Sequence, residues 1–139
     1  MHPPVAIPYI VDARLRRKDA STRIAVVGAS NNPQKYGNII VQNLAGKGYE
    51  VLPVNPREAV IAGLPAFPSL GDVPRPVHVV DFVTPPAVTL EVLKSLDPTS
   101  VESIWLQDGS FDDEVLAVAA KRFPVVVHHA CIMVVTNWG

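Results

Sequence analysis

The stretch IAVVGASNNPQKYG, Ile24–Gly37, decides the fold. Its first part, Ile24–Gly28 (IAVVG), is continuous, apolar and partly β-branched, and it stops at a glycine. Such a run fits a strand buried on both faces, as in a parallel sheet. After the polar turn comes NIIVQNLAGK, Asn38–Lys47, whose Ile40, Val41 and Leu44 fall on one side of a helix. In a doubly wound sheet, the loop after the first strand lies at the crevice where ligands bind. Gly28 lets the backbone approach a ligand closely. The helix start adds free N–H groups and the positive end of a dipole, and together these favour a pyrophosphate.

Outward from this unit the pattern repeats. Four more apolar runs read as strands: Glu50–Val54, Val77–Val83, Ser103–Gln107 and Val125–His128. Helical periodicity recurs in Pro86–Leu96 and in Ser110–Arg122, where acids come first and bases last, as the helix dipole prefers. Ser110 is the expected N-cap. The connection Pro56–Pro76 holds four further prolines and has room for one short helix at most. Strand and helix alternate, so the expected fold is one doubly wound, Rossmann-like α/β domain. We expect a five-stranded parallel sheet in the order 3-2-1-4-5 with helices on both faces. Residues 1–20 form a helical extension, with an amphipathic helix around Tyr9–Lys18. Pro53 sits inside the second strand and cannot donate to a ladder, so its missing N–H must face no partner.

At 139 residues the chain is one domain, long enough for a core without staples. Apolar residues make up 48% and charged residues 18%, which excludes a disordered tail. Twelve basic against thirteen acidic residues speak against nucleic acid as a partner. One cysteine excludes a disulfide framework and a multi-cysteine zinc cage. No apolar run approaches the ~20 residues of a membrane span. At the N-terminus the basic residues follow the apolar stretch, the reverse of a signal peptide. We therefore expect a soluble, cytoplasmic protein with no membrane partner.

The ordinary dinucleotide fingerprint, G-x-G-x-x-G, is not matched: Ser30 and Pro33 stand where the second and third glycines belong. An NAD site also carries an acid at the end of the second strand. Here that place holds Asn55-Pro56-Arg57. An arginine suits a phosphate on the ribose better than a free hydroxyl, as in coenzyme A or NADP. The plainer reading is a turn of small residues with Arg57 in solvent, and the residues alone do not decide between the two.

VVGAS with a following YG, then GYEVLPVNP, then GLPAFPSLGDVP, then DFVTPP and IWLQDG, occur in one order. That ordered set resembles the small CoA-binding proteins, which are similar to the N-terminal nucleotide-binding domain of the succinyl-CoA synthetase alpha subunit. The resemblance covers about residues 10–135. It implies that Gly28, Ala29, Ser30 and Asn31 cradle the pyrophosphate, with Lys35, Tyr36 and Gly37 closing the loop and opening the helix. It places Asn55, Pro56 and Arg57 around the adenosine, Arg57 near the 3′-phosphate, and Val83, Thr84 and Pro85 on the adenine side. Gln107 and Gly109 fall toward the pantetheine. The second domain that carries phosphohistidine chemistry in the synthetases has no counterpart in these motifs. The resemblance therefore implies binding of coenzyme A or an acyl-CoA by a sensor, carrier or partner subunit. Two other readings stay open: an NADP-binding reductase or regulator using the same crevice, and an interaction module whose pocket has decayed. The family often shows an acid and a base before the last cysteine and an acid after it, whereas this chain reads His128-His129-Ala130-Cys131 and ends VVTNWG.

The remaining chemistry-bearing residues read more plainly. His128 and His129, adjacent on a strand, are expected on opposite faces. His129 and Cys131 then share a face, which supplies two ligands where zinc wants three or four. Cys131 reads as a buried, inert thiol, although a mixed disulfide with the coenzyme is conceivable if it lines the pocket. Asp108 reads as a solvated loop acid, and Arg14, Arg16, Arg17 and Lys18 as a solvated helix face. Trp105 is expected in the core. Trp138, near the C-terminus, hints at a homodimer that would cover it.

Overall fold

Strand β1 (Arg23–Val27) is the axis of the computed structural model, which describes residues 6–137. Before it, α1 (Tyr9–Arg16) buries Val11 and Leu15. After it come α2 (Tyr36–Gly46), β2 (Glu50–Val54), a two-rung hairpin of β3 (Val60–Ile61) and β4 (Leu64–Pro65), and a 3₁₀ turn at Leu70–Asp72. Then follow β5 (Val79–Phe82), α3 (Pro86–Ser95), β6 (Ile104–Leu106), α4 (Asp113–Arg122), β7 (Val126–His128) and α5 (Ile132–Val135). The expected α/β class, the parallel sheet of five strands and the helices between them are all present. The hairpin is an element that the sequence reading did not contain.

The order of the sheet differs from the expected one. It runs β2-β1-β5-β6-β7, or 2-1-3-4-5 when its five strands are numbered alone, and not 3-2-1-4-5. Pro53 supplies the reason. A residue in a strand points its N–H and C=O to the same side. Phe67 N–H donates to Pro53 O at 2.9 Å from the side away from β1, so the missing N–H of Pro53 lies on that outer side too. A full strand there would lose a rung. β2 is therefore an edge, touched on its outer side at Phe67, and the third strand pairs with the free edge of β1 instead.

Two apolar layers cover the sheet. One joins Val27, Val54, Leu70, Val80, Phe82, Leu93 and Val115 under α3, α4 and the proline-rich connection. The other joins Ile24, Val26, Ile40, Leu44, Trp105 and Ile132 under α1, α2 and α5. Trp105 is fully buried, as expected, and its Nε1–H donates to Ala130 O (2.8 Å). The basic residues of α1 are engaged: Arg14 forms a two-bond pair with Glu102 (2.8 and 3.0 Å), and Arg16 pairs with Asp12 (2.9 Å). Tyr49 donates its hydroxyl proton to Leu15 O, and burial pushes that hydroxyl up to about 12. The helix start at α4 is capped by Asp112, whose carboxylate accepts from Val115 N–H (2.9 Å). Ser110 is instead buried and donates to Gln107 O (2.7 Å), so the side chain nearer the helix took the cap.

The second layer contains one misfit. Asp81 is 0% exposed, and neither carboxyl oxygen has a hydrogen-bond partner among the described residues. It stands in register with Val26 and Trp105, whose side chains are part of that apolar layer. Burial raises its pKa well above the usual carboxylate range. The folded chain thus holds a proton that the unfolded chain releases, and stability from this group is lost as pH rises above the ordinary carboxylate value. Asp81→Asn keeps the shape and removes the titration. Urea unfolding from weakly acidic to weakly alkaline pH is expected to show wild type losing stability relative to the variant; parallel profiles would mean that Asp81 does not titrate between the two states.

Candidate functional site

The site begins where β1 ends. Gly28 N–H donates to Val54 O (3.3 Å), one rung past the strand, and then φ of +96° turns the chain out of the sheet. A Cβ at Gly28 would lie 2.9 Å from Thr84 Cγ2 and 3.0 Å from Val83 Cγ2, so the loop after β5 packs directly on this glycine. A Cβ at Gly37 would lie 2.1 Å from Gly28 O, so the first turn of α2 packs backbone to backbone on the same turn. Both contacts require glycine, one for φ and space, the other for space alone.

The loop between them is held by its own polar groups. Asn55 Nδ2 donates to Ala29 O (2.9 Å) and Asn38 Nδ2 to Ser30 O (3.0 Å), so both of these loop carbonyls are engaged. Ser30 Oγ accepts from Asn32 N–H (3.0 Å), and Asn32 Oδ1 accepts from Gln34 N–H (3.0 Å). α2 starts at Lys35 without a side-chain cap and without an acid in its first turn. Lys35 N–H donates to Asn32 O and Asn38 N–H to Lys35 O, which leaves the N–H groups of Tyr36 and Gly37 with their hydrogen-bonding capacity and partial positive charge. The chemistry that fits this cradle is an anion with several oxygens.

The cradle is a cavity of about 380 Å³ that brings together Gly28, Ala29, Ser30, Lys35, Tyr36, Gly37, Asn55, Val83, Thr84 and Pro85. Ten of the fifteen residues expected at the site thus line one space. On one side it adjoins a cavity of about 650 Å³ through Gly28, Asn55 and Thr84. Val27, Val54, Leu70, Val88 and Val92 give that cavity apolar walls, and Pro56 borders it. It lies between α3 and the proline-rich connection, which packs no full helix against the sheet. On the other side the cradle adjoins a cavity of about 360 Å³ through Tyr36, Val83, Thr84 and Pro85. Gln107, Asp108, Gly109 and Cys131 close its far end. Val83, Thr84 and Pro85 stand at the centre of the crevice, between cradle and far end, with Thr84 bordering all three spaces.

Two expected residues line none of these cavities. Asn31 ties the loop to the hairpin, donating to Val60 O (2.8 Å) and accepting from Ala62 N–H (3.2 Å). Arg57 is exposed at the rim, its N–H fixed by Asn55 Oδ1 (2.7 Å). Three residues were missed. Asn38 was read only as part of a helix, although an amide in the first turn beside a glycine loop is a signal for loop bracing. Arg75 borders the large cavity, and its guanidinium donates to Leu70 O and Val73 O (3.2 and 3.1 Å). Val88, within the expected helix Pro86–Leu96, is 46% exposed at that cavity.

The C-terminal residues depart from the sequence reading. β7 ends at His128, and φ of +59° at His129 turns the chain, so the two imidazoles lie side by side at 4.7 Å instead of on opposite faces. Phe111 stacks edge-on against His129 at 5.0 Å. Among the described residues no group of three or more His, Cys, Asp or Glu is arranged to hold a metal ion. Cys131 is half-buried at the crevice, not sealed in the core, with Gln107 Nε2 at 3.5 Å from its sulfur. Lys47 Nζ donates to Met133 O and Thr136 Oγ1 (both 2.8 Å), which anchors α5 to α2 and keeps this wall in place. Trp138 lies outside the described residues. No helix among the described residues is long and apolar enough to cross a membrane.

The glycine contact gives a direct test. Because the atom facing a Gly37 Cβ is backbone, Gly37→Ala is expected to destabilise the chain by about 1–3 kcal/mol through overpacking, read as a lower urea midpoint. Gly46→Ala, on the same helix with open space at its Cβ, is the control and is expected to be neutral or stabilising.

A family model described as a CoA binding domain matches residues 22–137. The chain is 28% identical over 114 residues to the Bacillus subtilis (strain 168) protein YneT, spanning 82% of this chain and 84% of that one. It is 32% identical over 91 residues to the ADP-forming acetate–CoA ligase II subunit alpha of Pyrococcus furiosus, spanning 65% of this chain and 20% of the ligase subunit. Among solved structures, a conserved hypothetical protein from Pyrococcus furiosus matches with a TM-score of 0.77 and 42% identity, over 81% of this chain and 97% of its own.

Proposed function

The chain belongs to the CoA binding domain family, and on that footing we propose that it binds coenzyme A, or an acyl-CoA, along the crevice at the carboxyl ends of β1, β2, β5 and β6. The observation that carries this reading is the series of three adjoining cavities with the glycine–helix cradle in the middle. Coenzyme A has the same order of parts: a nucleoside, a diphosphate and a long uncharged arm. The diphosphate belongs in the cradle, with Lys35 and the open end of α2. The adenosine belongs in the large apolar cavity, bordered by Asn55 and Pro56. Arg57 stands at its rim, within the same turn as Asn55, where a phosphate on the ribose would emerge. The arm runs past Thr84 and Pro85 toward Gln107 and Gly109.

We assign this chain binding and not chemistry, as a sensor, carrier or partner subunit. The sulfur at the crevice, Cys131, has the Gln107 amide at 3.5 Å, and an amide does not take a thiol's proton. The rival NADP reading uses the same crevice and the same Arg57, so the two are separated by ligand choice. Isothermal titration is expected to rank coenzyme A above dephospho-CoA and both above NADPH. Arg57→Glu is expected to weaken coenzyme A about tenfold or more, the worth of a charge-assisted hydrogen bond, while dephospho-CoA changes little. Preference for NADPH would replace the reading with its rival. No binding of any of the three would favour an interaction module.

A further inference from the structure

We infer that the compartment at Gln107–Gly109 takes a thioester with a short, uncharged acyl group and disfavours acyl groups that end in a carboxylate. This rests on the coenzyme A reading above and names the ligand class at the thiol end of the same site.

Two side chains set the preference. Gln107 closes β6 and is 6% exposed. Its Oε1 accepts from Ile132 N–H at 3.0 Å, which fixes the amide plane and turns Nε2 toward Cys131 Sγ at 3.5 Å. A primary amide has two N–H donors. One is directed at the sulfur; the other is left for an acceptor inside the cavity that Gln107 lines. A free thiol offers that donor a weak acceptor, whereas a thioester offers a carbonyl oxygen. A buried donor gains most from an acceptor, because water reaches it poorly.

Asp108, the next residue, is exposed and lines the same cavity. It is the only Asp, Glu, Lys, Arg or His among the residues lining that space. Lys35 lines the neighbouring cradle, where a diphosphate would neutralise it, and Lys47, behind Cys131, is engaged by Met133 O and Thr136 Oγ1. A carboxylate carried on the acyl group would therefore meet Asp108 in a space that no basic side chain lines. A cavity of about 360 Å³, shared with the end of the arm, suits a short group.

The test compares coenzyme A, acetyl-CoA and succinyl-CoA by isothermal titration on the full chain. Acetyl-CoA is expected to bind tighter than succinyl-CoA by about two- to five-fold, the range of a solvent-screened charge contact. Asp108→Asn is expected to bring that ratio close to one, and Asp113→Asn, on α4 away from the cavity, to leave it as in wild type. Gln107→Leu is expected to lower the affinity for acetyl-CoA relative to coenzyme A; should that variant not fold, the Asp108 comparison decides alone. Succinyl-CoA binding as tightly as acetyl-CoA, or a gap that persists in Asp108→Asn, would overturn the inference and leave coenzyme A binding intact. Failure of all three ligands to bind would overturn the parent reading instead.

Discussion

Two backbones meet where Gly37 lies over Gly28, and the rest of the site is arranged around that contact. A side chain at Gly37 would push α2 away from the turn, and one at Gly28 would push away the loop after β5. With α2 pressed against it, the first turn of the helix and the end of β1 open into one cavity. Helix N–H groups are attractive to an anion only if nothing else occupies them and no carbonyl stands beside them. The first condition is met at Tyr36 and Gly37, and the second in part, since Gly28 O lies against Gly37. α2 has no side-chain cap, and the carbonyls of Ala29 and Ser30 are taken by Asn55 and Asn38. Asn55 does this from the end of β2 and Asn38 from α2, so the loop is braced from two elements at once. The cradle is thus preorganised: its ordering was completed when the chain folded and is not charged to binding.

The proline-rich connection has the complementary role. An ordinary crossover would lay a helix over Val27 and Val54 and fill the space beside α3. Prolines at 65, 68, 74 and 76 prevent that, and the segment folds into a hairpin and one 3₁₀ turn instead. The space that a helix would occupy becomes the cavity of about 650 Å³. Pro53 acts earlier in the same direction. It makes β2 an edge and sends the third strand to the other side of β1, so the cradle sits where the strand order changes direction. Ligands of open α/β sheets bind at such a point.

This division explains what the sequence disclosed. Strand and helix identities follow from local periodicity, and the five apolar runs and their helices stand close to where the residues place them. The glycine turn was legible because its requirements, small residues and a following helix, are also local. Lateral order was not, since it depends on which side of one proline points to a neighbour, a fact about pairing and not about pattern. The same holds at the far end of the crevice. Gln107 and Cys131 are 24 residues apart, and only the sheet and the turn at His129 bring amide to sulfur. Ser110 was the expected cap, and its burial left Asp112 to do it. Arg57 was expected around the adenosine, whereas it is exposed and lines none of the three cavities, and no motif announced the hairpin that follows it.

The charges along the crevice have a direction, and this fixes how an elongated anionic ligand must lie in it. Lys35 lines the cradle, Arg75 borders the large cavity and Arg57 stands at the rim, while Asp108 stands at the opposite end. A molecule with its phosphates at one end and a neutral arm at the other gains in one orientation only. Reversed, it would bring phosphate oxygens to Asp108 and leave Lys35 and the α2 terminus facing an uncharged chain. Each charge is exposed enough to be individually weak. Asp97 borders the large cavity beside Arg75 and opposes the others, so orientation is set by the balance between two placements, in which the three cations and Asp108 act in one direction.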